Sequence, residues 1–587
     1  MWFSKNSLRG SSYDPNPRSY TNARRTPINP AEARFSSATT KLVVGLSCIV
    51  LIIIAQLVRF QIVTASDLSH KAQAQRNNIV TLFARRGTIY DRNGNVLAIS
   101  RECRTVYANP KKVNDPSGAA QIIADTVGGT TDNYTQALTG DTTFAYVVKR
   151  ISIEDAKTIQ QKLGDAKITG IYLQQDIKRE YPYGAVAAQV LGVVGADQEG
   201  LTGLELYYND TLKGTNGKMI FEAGRGGTPI AGEHPAIEPA SHGQDIILGI
   251  DVNVQRTCEE TITQAIKDYS AKAGSVMVTD PLTGEILAAC STPLYDPADV
   301  AEIPEGALNL KSISATFEPG SIFKPITQVI ALDTKSVSPN QSFDVPVELK
   351  VGDSMVHDAE KRKEAMTMTL RDILVHSSNV GNALIAQHYI GADKFSSGVA
   401  AFQFGTKTGI DFPGEIAGMV KQRVEYDGST LGTMSFGQAL SIPQVQMVQA
   451  IGAIANRGSL YTPHFLIARG GSEVSWPAKG NPLSSDTADE IASYMRDVVK
   501  DKHNAAAAVE GYDVAGKTGT GEKPGENGRY LSDSFTNSFI GFAPASAPRI
   551  QVSVMLDGTP YSAYASAAPT FSKIMKNSLG DLGIAPQ

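Results

Sequence analysis

Cysteine is scarce in this 587-residue chain, with only Cys48, Cys103, Cys258 and Cys290. Cys48 falls inside an apolar run. The other three are an odd number without the spacing of a disulfide framework or a zinc site. Separate small core residues are therefore expected. The eight histidines show no metal-ligand spacing, so neither a metal nor a cofactor is expected. A strong excess of either charge is missing too: the formal net charge is −5, and nothing in it directs the chain to nucleic acid. What remains is a long chain of ordinary composition, which should hold more than one domain.

One apolar run stands out. Leu42 to Val58 spans 17 residues with Gln56 as its only strongly polar member, and it extends to Val63. That approaches the ~20 residues needed to cross a bilayer and exceeds a secretory h-region. Residues 42–63 are therefore expected to form an uncleaved signal anchor. Residues 1–41 carry seven Lys/Arg against Asp14 and Glu32, a local charge of +5. The positive-inside rule then places this tail in the cytoplasm and the rest of the chain beyond the membrane. The tail's Ser, Asn and Pro content predicts disorder. Gln56, Arg59 and Gln61 are costly toward lipid and suit contact with a membrane partner.

The strongest chemical signal is Ser321-Ile322-Phe323-Lys324, the one place where lysine follows serine by three residues. On a helix both side chains share a face, one turn apart. A lysine that has lost its proton can then serve as the base that makes serine a nucleophile. Glu318-Pro319-Gly320 breaks the chain just before, and Ile322, Phe323, Ile326, Val329 and Ile330 suit a buried helix. Ser321 would sit at its N-terminus, where free N–H groups favour an oxyanion. Pro325 fits a helix interior poorly. Ser377-Ser378-Asn379 lies between two helical stretches, Thr369 to His376 and Val380 to Ile390. Lys517-Thr518-Gly519-Thr520 follows Tyr512 to Gly516, which reads as a strand, and adds a cation, two hydroxyls and a glycine open to backbone approach. His376 is tempting as a base, but a helix-end role suits it better.

In this order, 56 and 140 residues apart, the three motifs resemble the active site of the penicillin-recognising serine enzymes. Serine-x-asparagine also occurs at Ser4 to Asn6 and at Ser338 to Asn340, and Lys407-Thr408-Gly409 repeats the third motif. Lys407 leads into Ile410-Asp411-Phe412-Pro413-Gly414-Glu415, a loop pattern that in the family lies between the second and third motifs. Lys517 is therefore preferred.

Three upstream stretches resemble the pedestal of class B penicillin-binding proteins. These are Arg86 to Gly94 with its Asn93-Gly94 hairpin signal, Arg179 to Gly184, and Gly200 to Glu205. Their arginines and glycines read as turns and packing. The class A glycosyltransferase motifs have no match. The expected domains are a tail (1–41), an anchor (42–63), a dimerisation-type pedestal (64–238) and a transpeptidase domain (239–587), with residues 223–243 connecting the last two. Hairpins pairing Ser275–Val278 with Ile286–Ala289 and Phe539–Phe542 with Ile550–Val554, and helices at Val254–Ser270 and Thr570–Leu579, predict an α+β fold with a mostly antiparallel sheet between helices.

The resemblance implies a peptidoglycan D,D-transpeptidase without cofactor or metal. Its substrate would be stem peptides ending in D-Ala-D-Ala, and β-lactams would acylate it. Ser321 would be the nucleophile, Lys324 the base and Ser377 a proton relay. Lys517 would favour neutral Lys324 by repulsion. Asn379 would bind the substrate amide, and Thr518, Gly519 and Thr520 its carboxylate end. The backbone N–H groups of Ser321 and Thr520 would form the oxyanion hole. The tail, anchor and pedestal, together with the Val356-His357-Asp358-Ala359 stretch, look most like the division-specific FtsI type. Its implied partners are a membrane peptidoglycan glycosyltransferase and divisome proteins. An elongation role, a β-lactamase or D,D-carboxypeptidase, and a non-catalytic wall sensor or scaffold are the alternatives.

Overall fold

A computed structural model describes residues 30–63, 66, 77–222, 236–502, 504–524 and 530–586. Two compact units divide the described residues: those up to 80 with 219–222 and 236, and those from 81 to 218 with those from 237 onward.

In the first unit, a helix runs from Pro30 to Val58 and continues as a π-helical turn, Arg59–Val63. Within it Ser37–Ile62 is long and apolar enough to cross a membrane, and none of its apolar window is buried by protein. The helix begins earlier than expected, so residues 30–41 of the supposedly disordered tail are helical. Pro30 suits a first turn, Ala31 to Arg34 are mostly strong helix formers, and extending an existing helix carries no nucleation cost. Residues 1–29 of the expected tail lie outside the described residues.

The second unit carries everything else described here. Its pedestal is organised by one long strand, Val96–Ala108, paired antiparallel with Ala145–Ile151 and Ile171–Glu180. Helices Pro116–Val127, Thr131–Thr139 and Ile153–Asp165 bury Ile123, Leu138, Ile159 and Leu163 against Val106 of this sheet. The Asn93-Gly94 turn joins Ile89–Tyr90 to the long strand, with Gly94 at φ +83°. Ile89–Tyr90 also pairs in parallel with Ile246–Leu248, which pairs with Leu466–Arg469. Strands from both sides of position 238 thus share one sheet. Of the expected connecting segment, residues 223–235 lie outside the described residues, and Ala236–Glu238 is a short strand.

The three arginine- and glycine-bearing stretches converge on Glu205, with Arg179 in the strand Ile171–Glu180 and Glu205 in the helix Gly203–Tyr207 rather than in turns. Its carboxylate accepts from Arg86 Nε at 2.5 Å and from Arg179 Nε at 2.7 Å. All three residues are buried. Arg86 also reaches Asn209 Oδ1 at 2.8 Å, and Arg179 reaches the Gly87 carbonyl at 2.8 Å. The reading of these residues as packing elements is correct in this structure.

Beyond the pedestal stands a five-stranded antiparallel sheet in the order Ile286–Ser291, Ala273–Thr279, Ile550–Thr559, Tyr530–Ala543, Ala515–Pro524. Both expected hairpins are present. Val276, Val278, Val552, Val554 and Phe539 share one core with the helices Val252–Asp268 and Ala567–Asp581. Met277, Ile540 and Phe542 join the other core, with Ile326 and Met447 of the helices Lys324–Asp333 and Gln444–Ala455. This two-residue alternation puts helices on both faces, as the α+β reading predicts. Cys103, Cys258 and Cys290 are separate buried thiols.

Candidate active site

Ser321 lies in a 3₁₀ turn, Gly320–Phe323, that leads into the helix Lys324–Asp333. The α-helix therefore starts at Lys324, three residues later than the sequence suggested. This puts Pro325 in the first turn, where a missing N–H costs nothing. Ser321 is half-buried, whereas Lys324 has no exposed surface.

The turn is seated against the third motif by glycines. Gly320 adopts φ +54° and donates its N–H to the Gly437 carbonyl at 3.0 Å. A Cβ on Gly437 would lie 2.1 Å from the Gly320 oxygen, and one on Gly519 would lie 2.9 Å from Ile322 Cγ2. A Cβ on Gly320 would come within 2.9 Å of the Thr520 carbonyl oxygen. The backbones of the first and third motifs therefore meet next to Ser321.

Lys517 to Thr520 lie within the strand Ala515–Pro524, paired with Ile540, Phe539, Ser538 and Asn537 in that order. The strand read from Tyr512 begins only at Ala515, because Tyr512 closes a turn onto Val509. Lys517 is fully buried, and its Nζ donates to the Thr518 carbonyl and Oγ1, each at 3.3 Å. Thr518 Oγ1 in turn reaches Asn504 Oδ1 at 3.4 Å. Thr520 is exposed at the rim.

The second motif turns between helices Leu370–Val375 and Asn379–Ile385. Thr369 and Asp372 form a capping box at the first helix, and Ser378 Oγ caps the second by accepting from Gly381 N–H at 2.9 Å. Ser377 takes φ +53°, a left-handed conformation unusual for serine. Lys324 Nζ donates to the Ser377 carbonyl and, at 3.2 Å, to Ser377 Oγ. Asn379 Nδ2 donates to the His357 carbonyl at 3.1 Å. His376 is the exposed cap of the preceding helix.

These placements set the electrostatics. Burial, and then the Lys517 charge, hold the Lys324 ammonium well below the usual lysine range, while the Asp358 carboxylate acts in the opposite direction. Burial pushes Lys517 down to about 7. Repulsion between the lysines is thus real but secondary to their shared desolvation. The result is an amine biased toward its neutral form, one turn from a serine hydroxyl and bonded to a second hydroxyl, an arrangement able to accept and pass on a proton.

The second lysine-threonine-glycine run is elsewhere and otherwise employed. Lys407 is exposed, and Glu415 Oε1 accepts from Thr408 N–H at 2.5 Å and Thr408 Oγ1 at 2.6 Å. Asp411 of the same loop accepts from Tyr208 Oη at 2.6 Å and from Phe465 N–H at 2.7 Å. This loop is a structural staple. Sequence reasoning missed the functional placement of Asp358 and Asn504. Asp358 stood in a stretch noted only for its resemblance, and no spacing rule links it to Ser378, 20 residues on.

Comparison with known proteins agrees with this architecture. Residues 274–576 match the penicillin binding protein transpeptidase domain, and residues 81–248 match the penicillin-binding protein dimerisation domain. The chain is 32% identical to stage V sporulation protein D of Bacillus subtilis, over 92% of this chain and 84% of that protein. It is 27% identical to the peptidoglycan D,D-transpeptidase FtsI of Escherichia coli, over 90% and 88%. A crystal structure of penicillin binding protein 3 from Mycobacterium tuberculosis with aztreonam superposes with a TM-score of 0.68 at 26% identity, covering 86% of this chain and 98% of that one. With its dimerisation and transpeptidase domains in this order, the chain belongs to the class B penicillin-binding proteins, the family of serine-type peptidoglycan D,D-transpeptidases.

Proposed function

We propose that the protein cross-links peptidoglycan stem peptides during septal wall synthesis, through an acyl-enzyme on Ser321. The observation that carries the chemistry is the Lys324 amine, fully buried, depressed toward its neutral form and bonded to Ser377. Lys324 takes the proton of Ser321 Oγ as this oxygen attacks the penultimate D-alanine carbonyl carbon. The C–N bond then breaks as Ser377 gives its proton to the leaving amine, which departs as D-alanine, and takes up the proton held by Lys324. An amine of a neighbouring stem peptide attacks the remaining ester, forming the cross-link and returning the proton to Ser321. Asn379 binds the substrate amide. Thr518, Gly519 and Thr520 receive the terminal carboxylate beside Lys517. The backbone N–H groups of Ser321 and Thr520 bind the oxyanion, each worth roughly 3 kcal/mol.

The cellular setting follows from the anchor. Residues 42–63 tether the protein, with its N-terminus cytoplasmic and its catalytic domain outside, beside a membrane glycosyltransferase and other division proteins. The FtsI-like character of the tail, pedestal and Val356 to Ala359 stretch supports a septal role over a side-wall one. Imaging a tagged, functional copy tests this: enrichment at the septum supports division, whereas side-wall labelling overturns it for elongation. A fluorescent penicillin adduct that persists for many turnover times distinguishes a transpeptidase from a β-lactamase, and failure to form any adduct indicates a scaffold. Replacing residues 42–63 by an unrelated span should fail to restore growth, since Gln56, Arg59 and Gln61 suit a protein neighbour. Full complementation would confine partner contact to the pedestal.

A further inference from the structure

The stretch around Asp358 has no part in the reaction as written, yet its carboxylate underlies the second motif. Ser378 Oγ lies 2.9 Å from each Asp358 oxygen, and Oδ1 accepts from Val380 N–H at 3.0 Å. Arg362 Nε donates to Oδ2 at 2.9 Å. The other guanidinium nitrogens are fixed by the Val345 carbonyl at 3.1 Å and the Pro346 carbonyl at 2.7 Å. The Asp358 and Arg362 side chains are 10% and 13% exposed, so the pair is largely shielded from solvent. What this clamp secures is the turn in which Ser377 is held left-handed, a conformation that persists in a serine only when its surroundings impose it. The Ser377 carbonyl and Oγ are in turn the groups that the Lys324 amine bonds.

We propose that Asp358 and Arg362 are positioning residues of the acylation step: the guanidinium fixes the carboxylate, the carboxylate fixes the Ser377 to Asn379 turn, and the residual charge of the pair sets the field at the Lys324 amine. This rests on the assignment of Ser321 and Lys324 given above. Two charged groups act on Lys324: Lys517 from the Ala515–Pro524 strand disfavours the ammonium, and Asp358 from the loop favours it. Of the loop's other titratable groups, Lys361, Lys363 and Glu364 are exposed. His357 lies 3.6 Å from Glu348, and Glu360 acts on Tyr564.

The signs follow from Coulomb's law. Arg362 cancels part of the Asp358 charge. Removing Arg362 strengthens the negative field, keeps Lys324 protonated to higher pH and moves the acid limb of acylation upward. Neutralising Asp358 moves that limb downward. A clamp acting through shape alone would lower the rate at every pH without moving the two midpoints in opposite directions.

The test is the rate of acylation of the full-length protein in detergent by a fluorescent penicillin, measured from acid to alkaline pH. Arg362→Met should raise the midpoint by up to about one pH unit, and Asp358→Asn should lower it by a similar amount. Arg362→Lys keeps the charge without the fork and should return the midpoint toward the unsubstituted value while leaving the plateau rate reduced. Midpoints that stay fixed, or that move together, overturn the proposal. If Asp358→Asn does not fold, the Met and Lys variants at 362 decide alone: an upward shift in the first and its reversal in the second support the proposal, and any other pattern refutes it. An unsubstituted protein that forms no adduct overturns the Ser321 assignment and the proposal with it. One that acylates with an acid limb insensitive to these variants overturns the positioning role only.

Discussion

Two buried clusters of charge in this chain follow opposite rules. In the pedestal, two guanidiniums grip both oxygens of Glu205, so the charges are paired and hydrogen-bonded. In the cleft, Lys324 and Lys517 are as deeply buried, but their hydrogen bonds go to hydroxyls and carbonyls. A guanidinium fork meets burial by pairing, whereas an ammonium can meet it by losing its proton. One cluster therefore ties three distant segments together, and the other holds an amine biased toward its neutral form.

The largest effects belong to the cleft. Ser321→Ala should abolish covalent penicillin labelling while the protein stays folded and membrane-bound; mass spectrometry that finds the adduct on another residue would remove Ser321 from its role. Next, Lys517→Ala should slow acylation by at least about a hundredfold, and Lys407→Ala should change it little. A severe loss confined to Lys407 would exchange the two motifs.

The comparison sharpens when stability is read beside activity. Glu205→Gln leaves two buried guanidiniums without their carboxylate and should cost about 3–5 kcal/mol in denaturant unfolding, with acylation by the folded fraction little changed. Lys324→Met should do the reverse, ending acylation with little loss of stability, since it removes a buried amine that has no carboxylate partner. Equal losses of stability in the two variants would erase the distinction.

The smallest effect is a pair of opposed pH slopes. Burial raises Glu259, which accepts from the Ala187 N–H at 2.9 Å, from 4.5 to about 7. The folded state thus binds the extra proton between these values, and the stability contributed is full below about 4.5 and lost as pH rises through about 7. Lys517 is lowered from 10.5 to about 7, so here the unfolded state binds the extra proton, and stability rises with pH across that window. In unfolding free energy measured against pH, Glu259→Gln should flatten the acid-side fall and Lys517→Met the alkaline-side rise. Unchanged slopes would show that neither group titrates as its burial requires.

What the sequence disclosed was local. The three motifs, both hairpins and the loop that follows Lys407 all rest on neighbours within a few residues, where spacing and turn chemistry decide. Pro325 counted against a helix only because a 3₁₀ turn ahead of it left no sequence signal. The strand around Lys517 was read too early, since glycine-rich residues 515–521 owe their extended form to pairing with Tyr530–Ala543 rather than to propensity. Contacts across long separations were hidden altogether. Arg86 and Glu205 meet over 119 residues, and the parallel pairing of Ile89 with Ile246 joins segments that look like different domains.

The glycine seat of Ser321 also bears on how such a protein can change under selection. At Gly437 any side chain would run into the Gly320 carbonyl oxygen at 2.1 Å, and Gly519 is hemmed in by Ile322 and Pro319. A lineage exposed to an acylating inhibitor cannot reshape that seat without displacing Ser321 itself. Exposed positions such as residues 359–361 and 363–366 are free of this constraint. Change is thereby channelled away from Ser321 and toward the exposed surface, where a substitution leaves that seat intact.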